Sequence, residues 1–202
     1  MNTYEIKKVT AGNVDWTTVP EISLDCRYPD TPDDVRVFAK IGYSDEALCV
    51  YLRTVERAHR AEEVGPLGEP YHDSCLEFFF RPDPDSLKYF NFEFNSNKCL
   101  YLGYGENLKN SARLIVNVEE IFAPVVKFLD DGWEIKYTIP YSFVRLFCPT
   151  FSPRPGSAIR ANCYKCADMM EPPHYLSWNL VTSEDNFTYH KPECFGLMTF
   201  GE

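Results

Sequence analysis

The sequence predicts an all-β fold, two antiparallel sheets packed as an immunoglobulin-like or jelly-roll-like β-sandwich, with one or two short helices. Three observations carry that expectation. Short segments alternate apolar and polar residues between turn signals, the period-2 signature of half-buried strands. The 202 residues include 15 Phe, 13 Tyr and 3 Trp, residue types that suit a pleated surface. Fifteen Pro and ten Gly are spread along the chain, which favours turns and edges over long helices. A chain of this length buries roughly 70% of its unfolded surface, so residues 1–202 are read as one domain.

Each element has its own warrant. Val35–Tyr43 and Ala47–Thr54 flank Ser44-Asp45-Glu46 and read as a hairpin. His59–Pro70 is a loop punctuated by Gly65, Pro66, Gly68 and Pro70. Ser74–Arg81 is a strand stopped by Pro82-Asp83-Pro84-Asp85. Tyr89–Asn95 and Lys98–Tyr104 form a second hairpin around Asn95-Ser96-Asn97. Arg113–Val118 and Val125–Phe128 are short strands, and Asp130-Asp131-Gly132 turns into the strand Trp133–Ile139. Pro140–Phe147 is the helix, because proline suits a first helical position. Ala158–Cys166, Leu176–Leu180 and Phe195–Phe200 complete the set. Trp133 and Trp16 are expected in the core; Trp178, beside the polar Asn179, reads equally as core or as an exposed platform.

Alternation also assigns faces. Phe90, Phe92 and Phe94 share one side of their strand, and Tyr89, Asn91, Glu93 and Asn95 the other. Leu76, Phe78 and Phe80 lie opposite Cys75, Glu77, Phe79 and Arg81. If the two strands are neighbours, Glu77, Arg81, Asn91 and Glu93 form one polar surface. Such a surface rimmed by aromatics suits a sugar, whose C–H face stacks on a ring while its hydroxyls need planar donors and acceptors. The plainer reading is the wet side of an antiparallel sheet.

Tyr71-His72-Asp73 leading into Glu77, the polar and aromatic strand pair Tyr89–Tyr101, Trp133–Pro140, Arg160–Asp168, Trp178 and Phe195-Gly196 occur in an order that resembles carbohydrate-binding module family 9-like domains over most of residues 15–200. The resemblance implies a non-catalytic sugar-binding sandwich, associated with polysaccharide or oligosaccharide breakdown. It would place an aromatic clamp at Tyr71 and Trp178. Hydroxyl readers would be Glu77 and Asn91 or Glu93, with Asn179 or residues of Lys165–Asp168 from the other side. The family commonly has Trp at the first clamp position, where this chain has Tyr71. Two alternatives stand beside that reading. One is a hydrolase acting on glycosidic bonds through paired carboxyls, Asp73 with Glu77 or Glu77 with Glu93. The other is a structural or interaction sandwich with a decayed sugar site.

Composition narrows the partners. Twenty Lys and Arg against thirty Asp and Glu give a net charge of −10, which repels nucleic acid and anionic lipid. No apolar run reaches the ~18 residues of a membrane-spanning helix, and the first residues have no signal-peptide pattern. The resemblance implies a mono- or oligosaccharide partner, and the charge leads to no expected nucleic acid or membrane; the location is expected to be cytoplasmic, or secreted if a leader was removed. The eight cysteines are expected as free thiols in a reducing cytoplasm. Cys163-Tyr-Lys-Cys166 lacks the second pair a zinc site needs, and no Met–His pair stands out as haem ligands. No cofactor is expected, except that the acidic loops Asp83-Pro-Asp85 and Ser183-Glu-Asp-Asn186 offer oxygens to a structural calcium.

Overall fold

The computed structural model describes residues 1–57, 59–182 and 188–202, so the acidic loop at 183–186 lies outside the described residues. Fourteen strands follow in chain order: β1 (Thr3–Lys8), β2 (Ile22–Ser23), β3 (Cys26–Arg27), β4 (Arg36–Tyr43), β5 (Ala47–Val55), β6 (Cys75–Arg81) and β7 (Tyr89–Asn95), then β8 (Leu100–Gly105), β9 (Ser111–Arg113), β10 (Val125–Leu129), β11 (Gly132–Pro140), β12 (Ala158–Cys166), β13 (Leu176–Ser177) and β14 (Gly196–Phe200). Two short α-helices, α1 (Val118–Phe122) and α2 (Tyr141–Val144), and 3₁₀ turns at Pro70–His72 and Pro192–Cys194 complete the regular structure of the described residues. The strands run β10-β11-β5-β4-β1-β14-β12-β6-β7-β8-β9, with β2 on β4 and β13 joining β12 to β3.

The sheet folds over at β1, and its two halves face each other as a sandwich. β1 pairs parallel with β14 through Thr3–Ile6 and parallel with β4 through Lys7 and Lys8; the neighbouring pairings are antiparallel. β1 carries only two large apolar residues, Tyr4 and Ile6, too few for alternation to announce it. Between the halves lies the main core. Val37, Ala39, Ile41, Val50, Leu52 and Ile135 come from one half, and Phe78, Phe80, Phe90, Phe92 and Phe94 from the other. Tyr137 spans the gap, its ring 4.9 Å from Phe94 and 6.0 Å from Phe92.

Local chemistry corrects several boundaries. The helix expected over Pro140–Phe147 shrinks to Tyr141–Val144, because Pro140 has an extended ψ of 137° and still pairs with Ala47. The strand expected over Arg113–Val118 ends at Arg113; Asn117 instead caps α1, its side chain accepting from the Glu120 amide. Leu176–Leu180 keeps only Leu176 and Ser177 as strand. Trp133 is fully buried, whereas Trp16 is not in the core: it is half-buried, its ring 5.5 Å from Tyr51. All eight cysteines are free thiols. Cys163 faces the main core and Cys166 the opposite side, as two positions three apart on a strand must.

Candidate functional site: an acid-floored aromatic cleft

The face of β6 and β7 turned away from the main core carries a second cluster, built on Cys75, Phe79, Tyr89, Tyr164, Cys166, Tyr189 and Phe195. Over it opens a cleft of about 370 Å³. The register fixes its floor: Glu77 on β6 pairs directly with Glu93 on β7, and Glu93 in turn with Tyr101 on β8. Glu77 is also opposite Tyr164 on β12, while Cys75 is opposite Cys166. Alternation then sends all these side chains to one face.

Two loops bring in the walls. Loop 59–69 is held by the buried Asp73, whose carboxyl accepts from the Glu62 and Glu63 amides, from Asn95 and from the Arg60 guanidinium. Its work is structural, and it stays outside the cleft. The 3₁₀ turn Pro70–His72 that follows presents Tyr71, whose hydroxyl donates to Glu69 at 2.6 Å. The amides of Asp168 and Met169 donate to the Tyr71 and His72 carbonyls, at 3.0 Å each, so the segment after β12 is bound to the turn that carries Tyr71. That segment supplies Asp168 and leads to Tyr175, whose backbone is pinned on both sides by the Thr31 hydroxyl. Tyr71, Tyr101, Tyr175 and Tyr189 line the cleft with Glu77, Glu93, Asp168 and His190. Among the described residues that line it, none is Lys or Arg.

Of the residues singled out in the sequence, Tyr71, Glu77 and Glu93 meet in this cleft. Asn91 stands beside it: its amide donates to Glu93 Oε1 at 2.7 Å, and its head occupies the space that a side chain on Gly103 would need. Asn91 thus positions Glu93 rather than lining the cleft. Trp178 does not reach it. Trp178 shares the face of Leu176, is 7% exposed within the main core, and meets Tyr4 edge-on at 6.5 Å. Asn179 is likewise turned to the chain's first residues, its Oδ1 accepting from the Asn2 amide at 2.6 Å. Lys165 lies buried on the core side of β12, whereas Asp168, at the other end of the Lys165–Asp168 span, lines the cleft. The wall tyrosines Tyr101, Tyr175 and Tyr189 are not among the residues singled out in the sequence. For Tyr175 the signal is parity: in a strand through Leu176 and Ser177, Trp178 and Tyr175 cannot share a side.

Burial sets the electrostatics. The Glu77 and Glu93 residues are 2% and 3% exposed. Burial, then the negative charges of Glu93 and Asp168, push the Glu77 carboxyl well above the ordinary carboxylate range, with Lys165 opposing. Burial pushes Glu93 up to about 8, against the Asn91 hydrogen bond and the Arg113 charge. Burial lowers His190 to about 4, leaving it a neutral partner for the Tyr89 hydroxyl at 2.7 Å. The pair therefore favours its protonated form in the fold. Raising pH ionises these glutamates first in the unfolded chain, so their contribution to stability is full below about pH 4.5 and falls away towards about pH 8. Thermal melts between pH 5 and 8 should show this decline, and Glu77→Gln or Glu93→Gln should flatten it. An unchanged slope in both variants would disprove the assignment.

A cleft with aromatic walls and a polar floor on one face of a β-sandwich defines a small-ligand-binding module. The family is shown by sequence: the model of carbohydrate-binding family 9 matches residues 6–200, and the chain belongs to that family. Among solved structures, a candidate carbohydrate-binding protein from Bacteroides uniformis superposes with a TM-score of 0.83 at 24% identity, covering 98% of both chains. A family 9 module from Caldicellulosiruptor kristjanssonii in complex with glucose gives a TM-score of 0.70 at 14% identity, over 100% of this chain and 97% of that one. The same module with cellotriose gives 0.70 at 14%, over 99% and 94%. At these identities the likeness shows the fold. No curated protein matches the chain.

Proposed function

We propose that this protein is a non-catalytic carbohydrate-binding module that holds a pyranose in the cleft between Tyr71 and Tyr175, over Glu77 and Glu93. The observation that carries the reading is the convergence of four tyrosines and two directly paired carboxyls in one cleft. The rings supply apolar faces for C–H stacking, and the carboxyls supply donors or acceptors for hydroxyls. Complexes of a similar fold with glucose and cellotriose support mono- or oligosaccharides as the ligand class.

The test is calorimetric titration with mono- and oligosaccharides of wild type, Tyr71→Ala and Tyr175→Ala. Each substitution should weaken binding by about tenfold or more, the loss of one stacked ring, while melting within a few degrees of wild type. Retained affinity in both variants, or release of product on incubation, would sink the proposal.

A further inference from the structure

The lining of the cleft is acidic. Three carboxyls, Glu77, Glu93 and Asp168, line it, and no described lining residue is basic. His190 sits there as a neutral ring engaged with Tyr89. The nearest cations are turned elsewhere. Arg113 lies over the Tyr101 ring at 4.4 Å and donates to the Leu67 and Gly68 carbonyls. Lys165 is on the far side of β12, against Glu56, Ser74 and the Cys166 carbonyl. Glu77, almost wholly buried yet lining the cleft, has the Cys75 thiol as a hydrogen-bond donor beside its carboxyl. The Cys166 thiol is taken by Asp168, and one oxygen of Glu93 by Asn91. A uronic acid would add a further carboxyl to this acid-lined cleft, whereas a cation would match it.

Resting on the sugar-binding reading above, we propose that the preferred pyranose carries a free amino group, an amino sugar or its oligomer, with its ammonium lodged against Glu77 and Glu93. The ammonium supplies three donors to these carboxyls. It also takes the place of protons that Glu77 and Glu93 otherwise hold, so binding releases a proton to solvent.

The experiment titrates wild-type protein with glucose, galactose and mannose, each in neutral, 2-amino, N-acetylamino and uronic forms, at neutral pH and low salt. The expected result is an amino form bound about tenfold or more tighter than its neutral and N-acetyl counterparts, as a charge-assisted hydrogen bond predicts. Its preference should shrink in high salt, its enthalpy should vary with the ionisation heat of the buffer, and no uronic form should bind. Glu93→Gln and Glu77→Gln should bring amino and neutral forms to similar affinity; should both variants fail to fold, the buffer dependence of wild type decides alone. Neutral sugars binding as tightly as amino sugars would overturn this inference and leave the sugar-binding reading standing. Binding of no sugar in any form would overturn both.

Discussion

Lys165→Ala is expected to cost about 3–5 kcal/mol of stability, the loss seen when one partner of a buried ion pair is removed. Lys165 is fully buried, with its Nζ 3.3 Å from Glu56 Oε2 and hydrogen bonds to the Ser74 hydroxyl and the Cys166 carbonyl. His174 Nε2 lies 3.4 Å from the same carboxylate oxygen, and neither contact is an aligned hydrogen bond. The other oxygen accepts from Trp133 Nε1 at 3.0 Å and from Ser74. Burial alone would raise the Glu56 carboxyl, but Lys165, His174 and Ser74 together bring it down to about 2. Without Lys165 a buried carboxylate loses its main counter-charge. Denaturant unfolding measures the loss, and Lys165→Met with Glu56→Gln should recover much of it, because no uncompensated charge then remains. A Lys165→Ala variant as stable as wild type would show that the pair is solvated in solution. The lowered carboxyl gives a signature of the opposite sign, on the acid side. Its contribution is present above about pH 4.5 and is lost as pH falls towards about 2, a window separate from that of Glu77 and Glu93.

Trp178→Ala is expected to cost about 3–5 kcal/mol, the range for a large aromatic removed from a packed core. Its ring is in the main core against Tyr4, and its backbone carbonyl accepts from Asn2 Nδ2 at 2.7 Å. The variant should melt far lower, yet the folded fraction should bind sugar with unchanged affinity. Tyr71→Ala should do the reverse. A Trp178→Ala protein that keeps its melting temperature and loses its ligand would return Trp178 to the clamp.

Much of the fold was legible where strands are long and alternation is uninterrupted. Phe90, Phe92 and Phe94 announced the core side of β7, and with it the opposite placement of Glu93; Leu76, Phe78 and Phe80 did the same for Glu77. The direct pairing of the two glutamates follows from a register that no single strand reveals. What escaped was set by partners distant in sequence. β13 is two residues long and exists because it pairs with β12 and β3, so its parity could not be read from its own pattern. That put Trp178, the larger and more conspicuous ring, ahead of Tyr175. Asp73 looked like chemistry because it precedes Glu77, but four donors converge on it and use its carboxyl to build a loop.

The parallel placement of β1 beside β14 has a mechanical consequence. Thr3 lies opposite Leu197 and Ile6 opposite Phe200, so the chain leaves β1 at its Thr3 end and β14 at its Phe200 end in opposite directions. Tension applied to the backbone through those two exits would pull along the strands rather than across them. The evenly spaced hydrogen bonds of a parallel pair would then share the load and break together, not one after another. In that geometry the seam on which the sheet folds over would resist stretching as a clasp loaded in shear.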